Sequence, residues 1–173
     1  MPSSSSFVPI APPPPDASPV VLPAPGLEAF AELSVEVGTP QEIGQGPRGG
    51  RRIIPIVGGT AVGRGWRARV LPGGTDYQLV AHAGLADLDA RYTLETDAGD
   101  LIYVRNTALR CGPPAVMASL ARGEPVDPSL VYFRCTPRFE TASSALGWIN
   151  ERLFAGTGAR YPARVELAFF TLT

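Results

Sequence analysis

Two carboxylates, a scatter of arginines and tyrosines on alternating positions, and a complete lack of lysine define the chemistry open to this chain of 173 residues. Asp76 follows the turn Leu71-Pro-Gly-Gly-Thr75, which sets it at the rim where a strand begins. Beside Tyr77 it could serve as a general base or as a polar anchor for a ligand, against the plainer role of accepting turn amides. Glu140 is the second candidate acid, with an ion pair to Arg138 or favourable charge near a helix start as its structural alternative. Arg91 and Tyr103, with Tyr132 and Arg134 on another strand, bring rigid guanidinium forks and phenol hydroxyls suited to a carboxylate or an enolate oxygen. The expected catalytic set is therefore Asp76, Glu140 and Tyr103. Arg91, Tyr132, Arg134, Tyr77 and Trp148 are the expected ligand contacts.

Composition removes several other chemistries. All fifteen basic residues are arginines, so a Schiff-base lysine and a phosphate loop ending in Gly-Lys-Ser/Thr are excluded. His82 is the single histidine, which excludes paired-histidine zinc sites and reads more readily as structural than catalytic. Cys111 and Cys135 lie too far apart for a Cys-x-x-Cys motif and read as packed, reduced thiols. No metal and no cofactor is expected. Gly44-Gln-Gly-Pro-Arg-Gly49 fits the dinucleotide pattern only formally, since no helix pattern follows it. A net charge of −1 argues against nucleic acid as a partner. Arg48, Arg51, Arg52, Arg64, Arg67 and Arg69 share an acid-free stretch that could draw in an anion, although exposed strand faces and loops account for it as well.

The elements that must position these groups are mostly strands. Residues 1–26, rich in Ser, Pro and Ala, read as a disordered or polyproline-type tail, and 27–173 as one domain. The tail lacks the basic start of a secretory signal and no run is long enough to cross a bilayer, so a soluble cytoplasmic protein is expected, with a homo-oligomer plausible. Period-two alternation recurs from Ala31 to Val37, through Gly65–Leu71, Tyr77–His82 and Leu85–Thr96, and again in Leu101–Asn106, Val131–Thr136 and Arg164–Leu172, with Arg52–Val57 a short apolar run closed by Gly58-Gly59. Glycine-rich turns separate these runs, which favours a barrel or sandwich. Asp97-Ala-Gly99, with Gly99 left-handed, makes a three-residue hairpin loop pairing Thr96 with Asp100. Tyr92, Leu94, Ile102 and Val104 then share one face, and Arg91, Thr93, Glu95, Tyr103 and Arg105 the other. Pro114–Arg122 suits a short helix. Ser143–Phe154 suits a stronger amphipathic one, with Leu146, Ile149 and Leu153 on one face and Gly156 beyond its end.

Gly58-Gly59, Leu71-Pro-Gly-Gly-Thr-Asp-Tyr77, Leu88-Asp-Ala-Arg-Tyr-Thr-Leu94, Leu101-Ile-Tyr-Val104, Tyr132-Phe-Arg134, Phe139-Glu-Thr141 and Trp148 with Asn150 together resemble domain-of-unknown-function family 3237, also known as uncharacterised protein family 0311. The resemblance runs from about Leu27 to the C-terminus. It implies a lipocalin-like or allene-oxide-cyclase-like antiparallel β-barrel, without an established general activity. Tyr77 departs from the pattern, standing where tryptophan is usual, and so does the segment Ala108–Ser129.

The resulting expectation is a mainly β chain: an antiparallel barrel with one amphipathic helix near its C-terminal part. Within it, a cofactor-free isomerase, cyclase or dehydratase would act on a small apolar or aromatic carbonyl or carboxylate compound. The alternative is a barrel that only binds a small hydrophobic ligand, and a third possibility is a partner-recruiting proline tail. An enzyme requires a carboxylate of raised pKa inside the cavity, whereas a carrier requires a carboxylate-free one. The enzymatic reading as framed also needs the Arg91–Tyr103 face to point inward. If that face points outward, those residues form a solvated surface.

Overall fold

Ten antiparallel strands close on themselves because β1 (Leu27–Val37) is paired along both edges, by β10 (Arg164–Leu172) on one side and by β3 (Gly49–Gly63) on the other. The computed structural model describes residues 22–82 and 84–173, apart from the side chain of His82. Most of the expected tail therefore lies outside the described residues. From β3 the wall continues through β4 (Trp66–Val70) and β5 (Gly74–His82), which lie end to end and both pair with β6 (Leu85–Thr96). It runs on through β7 (Leu101–Cys111), β8 (Tyr132–Thr141) and β9 (Phe154–Arg160) to β10. Counting β4 and β5 as one wall gives a closed barrel of eight strands, and β2 (Gln41–Gly46) extends β3 beyond it as a hairpin. The Gly44–Gly49 stretch is thus strand, turn and strand.

The hairpin loop forms as its residues dictate: Gly99 has φ +85°, and the Thr96 N–H donates to the Asp100 carbonyl at 2.9 Å. Leu94 then stands opposite Ile102 and Tyr92 opposite Val104, and all four side chains are buried. Gly59 holds β1 and β3 together at φ +131°, where an added Cβ would meet the Ser34 carbonyl oxygen at 2.1 Å. Both the left-handed backbone and the close strand require glycine there. Gly59→Ala is expected to cost about 1–3 kcal/mol, measured by urea unfolding. An unchanged midpoint would contradict this.

The two ends of the barrel differ. At one end Phe30 is the hub of an aromatic plug, with ring centroids 4.7 Å from Phe154, 5.1 Å from Phe139, 5.6 Å from Trp148 and 5.7 Å from Trp66. Trp148 and Ile149 reach this plug from a short 3-10 turn, Gly147–Glu151, rather than from the helix expected over 143–154. Several local features explain the difference. Gly147 weakens helix propensity, and the Asn150 amide is held by the backbone N–H and C=O of Thr141, both at 2.9 Å. Leu153, expected on the apolar face, is exposed, and Phe154 already begins β9 with its side chain inward. The α-helix among the described residues is α1 (Pro114–Ala121), within the short helix expected over 114–122; it follows β7 and sets Leu120 against the opposite end of the barrel.

Candidate functional site

Side-chain alternation carries the apolar stripe of each strand into the lumen, and a few polar residues interrupt that stripe. On β7 the inward positions run Ile102, Val104, Asn106, Ala108 and Arg110, all buried. On β5 and β3 the inward set includes Asp76, Gln78 and Arg52. Strand pairing aligns Asp76, Ala90 and Asn106 in one cross-strand row, so the small Ala90 leaves open space between an acid and an amide. One step along the barrel, Arg52 stands beside Gln78, and a further step brings Arg110 beside Ala86 and Phe133.

These rows surround a cavity with about 40 Å³ open to the centre of a water-sized sphere. Leu88, Phe133 and Leu167 form much of its apolar wall, and Asp76, Tyr92, Asn106 and Arg110 supply its polar points. That volume is several times what one water needs, so the cavity suits a compact ligand. Gln78 donates through Nε2 to Asp76 Oδ2 at 2.5 Å and accepts from Arg52 Nε at 3.0 Å. Arg52 in turn lies 3.6 Å from the Glu42 carboxylate outside. The remaining polar atoms are not met. Among the described residues, the buried side-chain atoms without a hydrogen-bond partner are Asp76 Oδ1, Tyr92 Oη, Asn106 Oδ1 and Arg110 Nε, and all four residues line this one cavity.

Burial dominates the electrostatics. It pushes the Asp76 carboxyl above its ordinary value, outweighing the Gln78 hydrogen bond and the attraction of Arg110 and Arg52. It pulls Arg110 down to about 10, with Asp76 opposing the shift. Tyr92 is raised for the same reason, and the buried Cys135 thiol is pushed up to about 11.

Of the residues expected to form the site, Asp76 alone reaches the lumen. The wall bearing Arg91, Tyr103 and Arg105 faces outward, which corrects the inward orientation that the enzymatic expectation required. An eight-stranded barrel of this width must fill its interior with side chains, so the apolar face of the hairpin turns inward and the charged face meets water. Arg91 and Arg105 tolerate each other there because Asp89 lies 3.2 Å from both. Glu140 stands beside Tyr103 on the same outer face, as does Tyr77 beside Asp89. Tyr132 and Arg134 stack on each other on the exposed side of β8, with the guanidinium carbon 5.2 Å from the ring centroid. Trp148 belongs to the aromatic plug. Arg91→Ala and Tyr103→Phe are accordingly expected to leave the melting temperature and lumenal binding unchanged; loss of binding in either variant would contradict the outward placement.

Sequence reasoning misses Arg110, Asn106 and Gln78 as site residues, reads Arg52 only as one of six arginines in an acid-free stretch, and puts Tyr92 on the apolar face. A readable signal existed. Each is a polar or basic residue that falls in phase with an apolar stripe, as Asn106 and Arg110 do with Ile102 and Val104.

Fold and site define a closed antiparallel β-barrel with a small polar-studded lumen. The chain belongs to the family described as protein of unknown function (DUF3237), which it matches over residues 25–172. It is 43% identical over 135 residues to UPF0311 protein RPA1785 of Rhodopseudomonas palustris, covering 78% of this chain and 88% of that protein. With UPF0311 protein CA_C3321 of Clostridium acetobutylicum it shares 37% identity over 147 residues, covering 84% and 93%. The crystal structure of the R. palustris protein superposes with a TM-score of 0.83 at 37% identity, covering 88% of this chain and all (100%) of that one. A β-barrel-like protein of Acinetobacter baumannii superposes at 0.78 with 39% identity, covering 90% and 100%. An enzyme from Penicillium herquei shares the fold at a TM-score of 0.66 and 18% identity, covering 88% and 98%. Among the described residues no helix is long and apolar enough to cross a membrane.

Proposed function

We propose that the lumen binds a small carbonyl compound and catalyses cofactor-free proton transfer on it, of the isomerase type. The observation that carries this reading is the convergence of four unpartnered buried polar atoms on one cavity. Leaving a buried donor or acceptor unmet costs about 1–3 kcal/mol each, and a ligand presenting complementary atoms would recover that cost. The group nearest in chemistry to a general base is Asp76, whose Oδ1 is free while Oδ2 is held by Gln78.

The step runs as follows. Asp76 Oδ1 takes a proton from the carbon next to the carbonyl, the C–H electron pair forms the C=C bond, and the carbonyl π pair moves onto oxygen. The N–H groups of Arg110 and the Tyr92 hydroxyl stabilise that enolate oxygen in a site that excludes bulk water. Protonated Asp76 then returns the proton to the same or a conjugated carbon, so no electrons leave the substrate. A carboxyl whose pKa is raised by burial is suited to both halves of this cycle. The same carboxyl argues against simple carriage of a hydrophobic ligand, which needs no acid in the lumen. The cavity volume favours a compact aliphatic compound over an aromatic one.

Proton NMR in D2O tests the reading. The protein is expected to speed deuterium incorporation next to the carbonyl of at least one of 2-oxobutanoate, butanone and phenylacetaldehyde, by more than Asp76→Asn does at equal concentration. Equal rates for both proteins with all three compounds would overturn it.

A further inference from the structure

Arg110 lines two cavities. One is the lumen, and the other is the groove between α1 and the barrel, which Arg52, Met117 and Leu120 line with it. The opposite end of the lumen carries the Phe30 aromatic plug, so the lumen and the groove meet at the α1 end, where Arg110 lines both. That end is unusually cationic inside. Arg110 is 3% exposed, the Arg52 side chain is 14% exposed, and Arg160 at the end of β9 lies near enough to feel the charges of both Arg52 and Asp76. One buried carboxylate, Asp76, faces these three guanidiniums. Glu42, which approaches Arg52, is itself 65% exposed.

Buried cations are retained where an anion accompanies them, since desolvation otherwise opposes the charge. Arg110 Nε has no partner, and Arg52, which lines the groove with it, uses Nε on Gln78 and sets Nη1 3.6 Å from the exposed Glu42 carboxylate. The guanidinium fork matches the two oxygens of a carboxylate, or the adjacent carboxylate and carbonyl oxygens of a 2-oxo acid. We infer that Arg110 and Arg52 form a carboxylate clamp at the junction of the lumen and the groove beneath α1, so that the lumenal ligand is a small organic carboxylate. This assignment rests on the lumen being the ligand site proposed above, and it narrows the ligand to an anion. The carboxylate sits toward α1, and the reacting carbon lies deeper, toward Asp76.

Calorimetric titration of the full-length protein with 2-oxobutanoate and with 2-oxobutanamide, its neutral isostere, tests the clamp without reference to turnover. The carboxylate is expected to bind about ten-fold or more tightly than the amide. Arg52→Gln should shrink that preference, and Arg110→Met should abolish it. If the Arg110 variant fails to fold, the wild-type ratio and Arg52→Gln still decide. Equal affinities, a preference for the amide, binding of neither probe, or an undiminished preference in Arg52→Gln would overturn the clamp. Butanone exchange without a carboxylate preference would remove the clamp and keep proton transfer. A carboxylate preference without α-hydrogen exchange would do the reverse.

Discussion

Asp76→Asn is expected to lower the rate of α-hydrogen exchange about 10²–10⁴-fold, because it removes the proton acceptor while keeping the shape and the Gln78 contact. The same substitution should raise stability at neutral pH. Burial lifts the folded-state pKa of Asp76 above its ordinary 3.8, so between the unfolded and folded values the native state holds more protons than the unfolded chain. Stability of the wild type therefore falls as pH rises through that window and stays lower above it. Asparagine cannot ionise, so the variant escapes this loss, and the two proteins should converge as pH drops below the unfolded value. The charges acting on the group are those of Arg110, Arg52 and Asp89, and their effects are already contained in the net upward shift. Chemical denaturation of both proteins across pH checks the sign. A variant that is less stable than the wild type at neutral pH would contradict burial as the dominant influence on Asp76. Exchange by the wild type should rise with pH as Asp76 ionises, and fall again as Arg110 loses its proton near the value of about 10 to which burial lowers it.

Phe30→Ala carries the largest expected cost to folding, about 3–5 kcal/mol. Phe30 is 5% exposed and meets Trp66, Phe139, Trp148 and Phe154, so truncation leaves a void that four rings cannot all close. The plug also seals the lumen at the end remote from Arg110. Loss of the ring should therefore admit water and weaken ligand binding in the protein that remains folded. Urea unfolding checks the energy, and a midpoint within error of the wild type would contradict the role of Phe30 as hub.

Much of the barrel was legible because period-two alternation and left-handed glycines are local signals. The Asp97–Gly99 loop fixes the β6–β7 register residue by residue, down to Thr93 opposite Tyr103 and Arg91 opposite Arg105. Which face of that hairpin turns inward is decided by closure of the whole sheet, and closure rewards the face that fills the lumen. Attention to the concentrated charges of the outer face thus led away from the site. Asp76 was legible from its turn. The phase of Asn106 and Arg110 with Ile102 and Val104 was legible too, but their convergence on Asp76 was not, because it depends on cross-strand rows that unite β5, β6 and β7 across distant stretches of chain. The Leu146–Leu153 periodicity misled for a related reason: residues that seal a barrel end can fall at helical spacing while the chain is held by Asn150 in a single 3-10 turn.

The central claim is that a ligand occupies the lumen beside Asp76. Methyl NMR during titration with 2-oxobutanoate tests it most directly, since Ile56, Leu88 and Leu167 line the cavity whereas Leu101, Leu130 and Leu153 are exposed. Shifts concentrated at the first three methyl-bearing residues, and lost in Arg110→Met, are the predicted result. Shifts confined to the exposed leucines, with the cavity methyls unmoved, would contradict it.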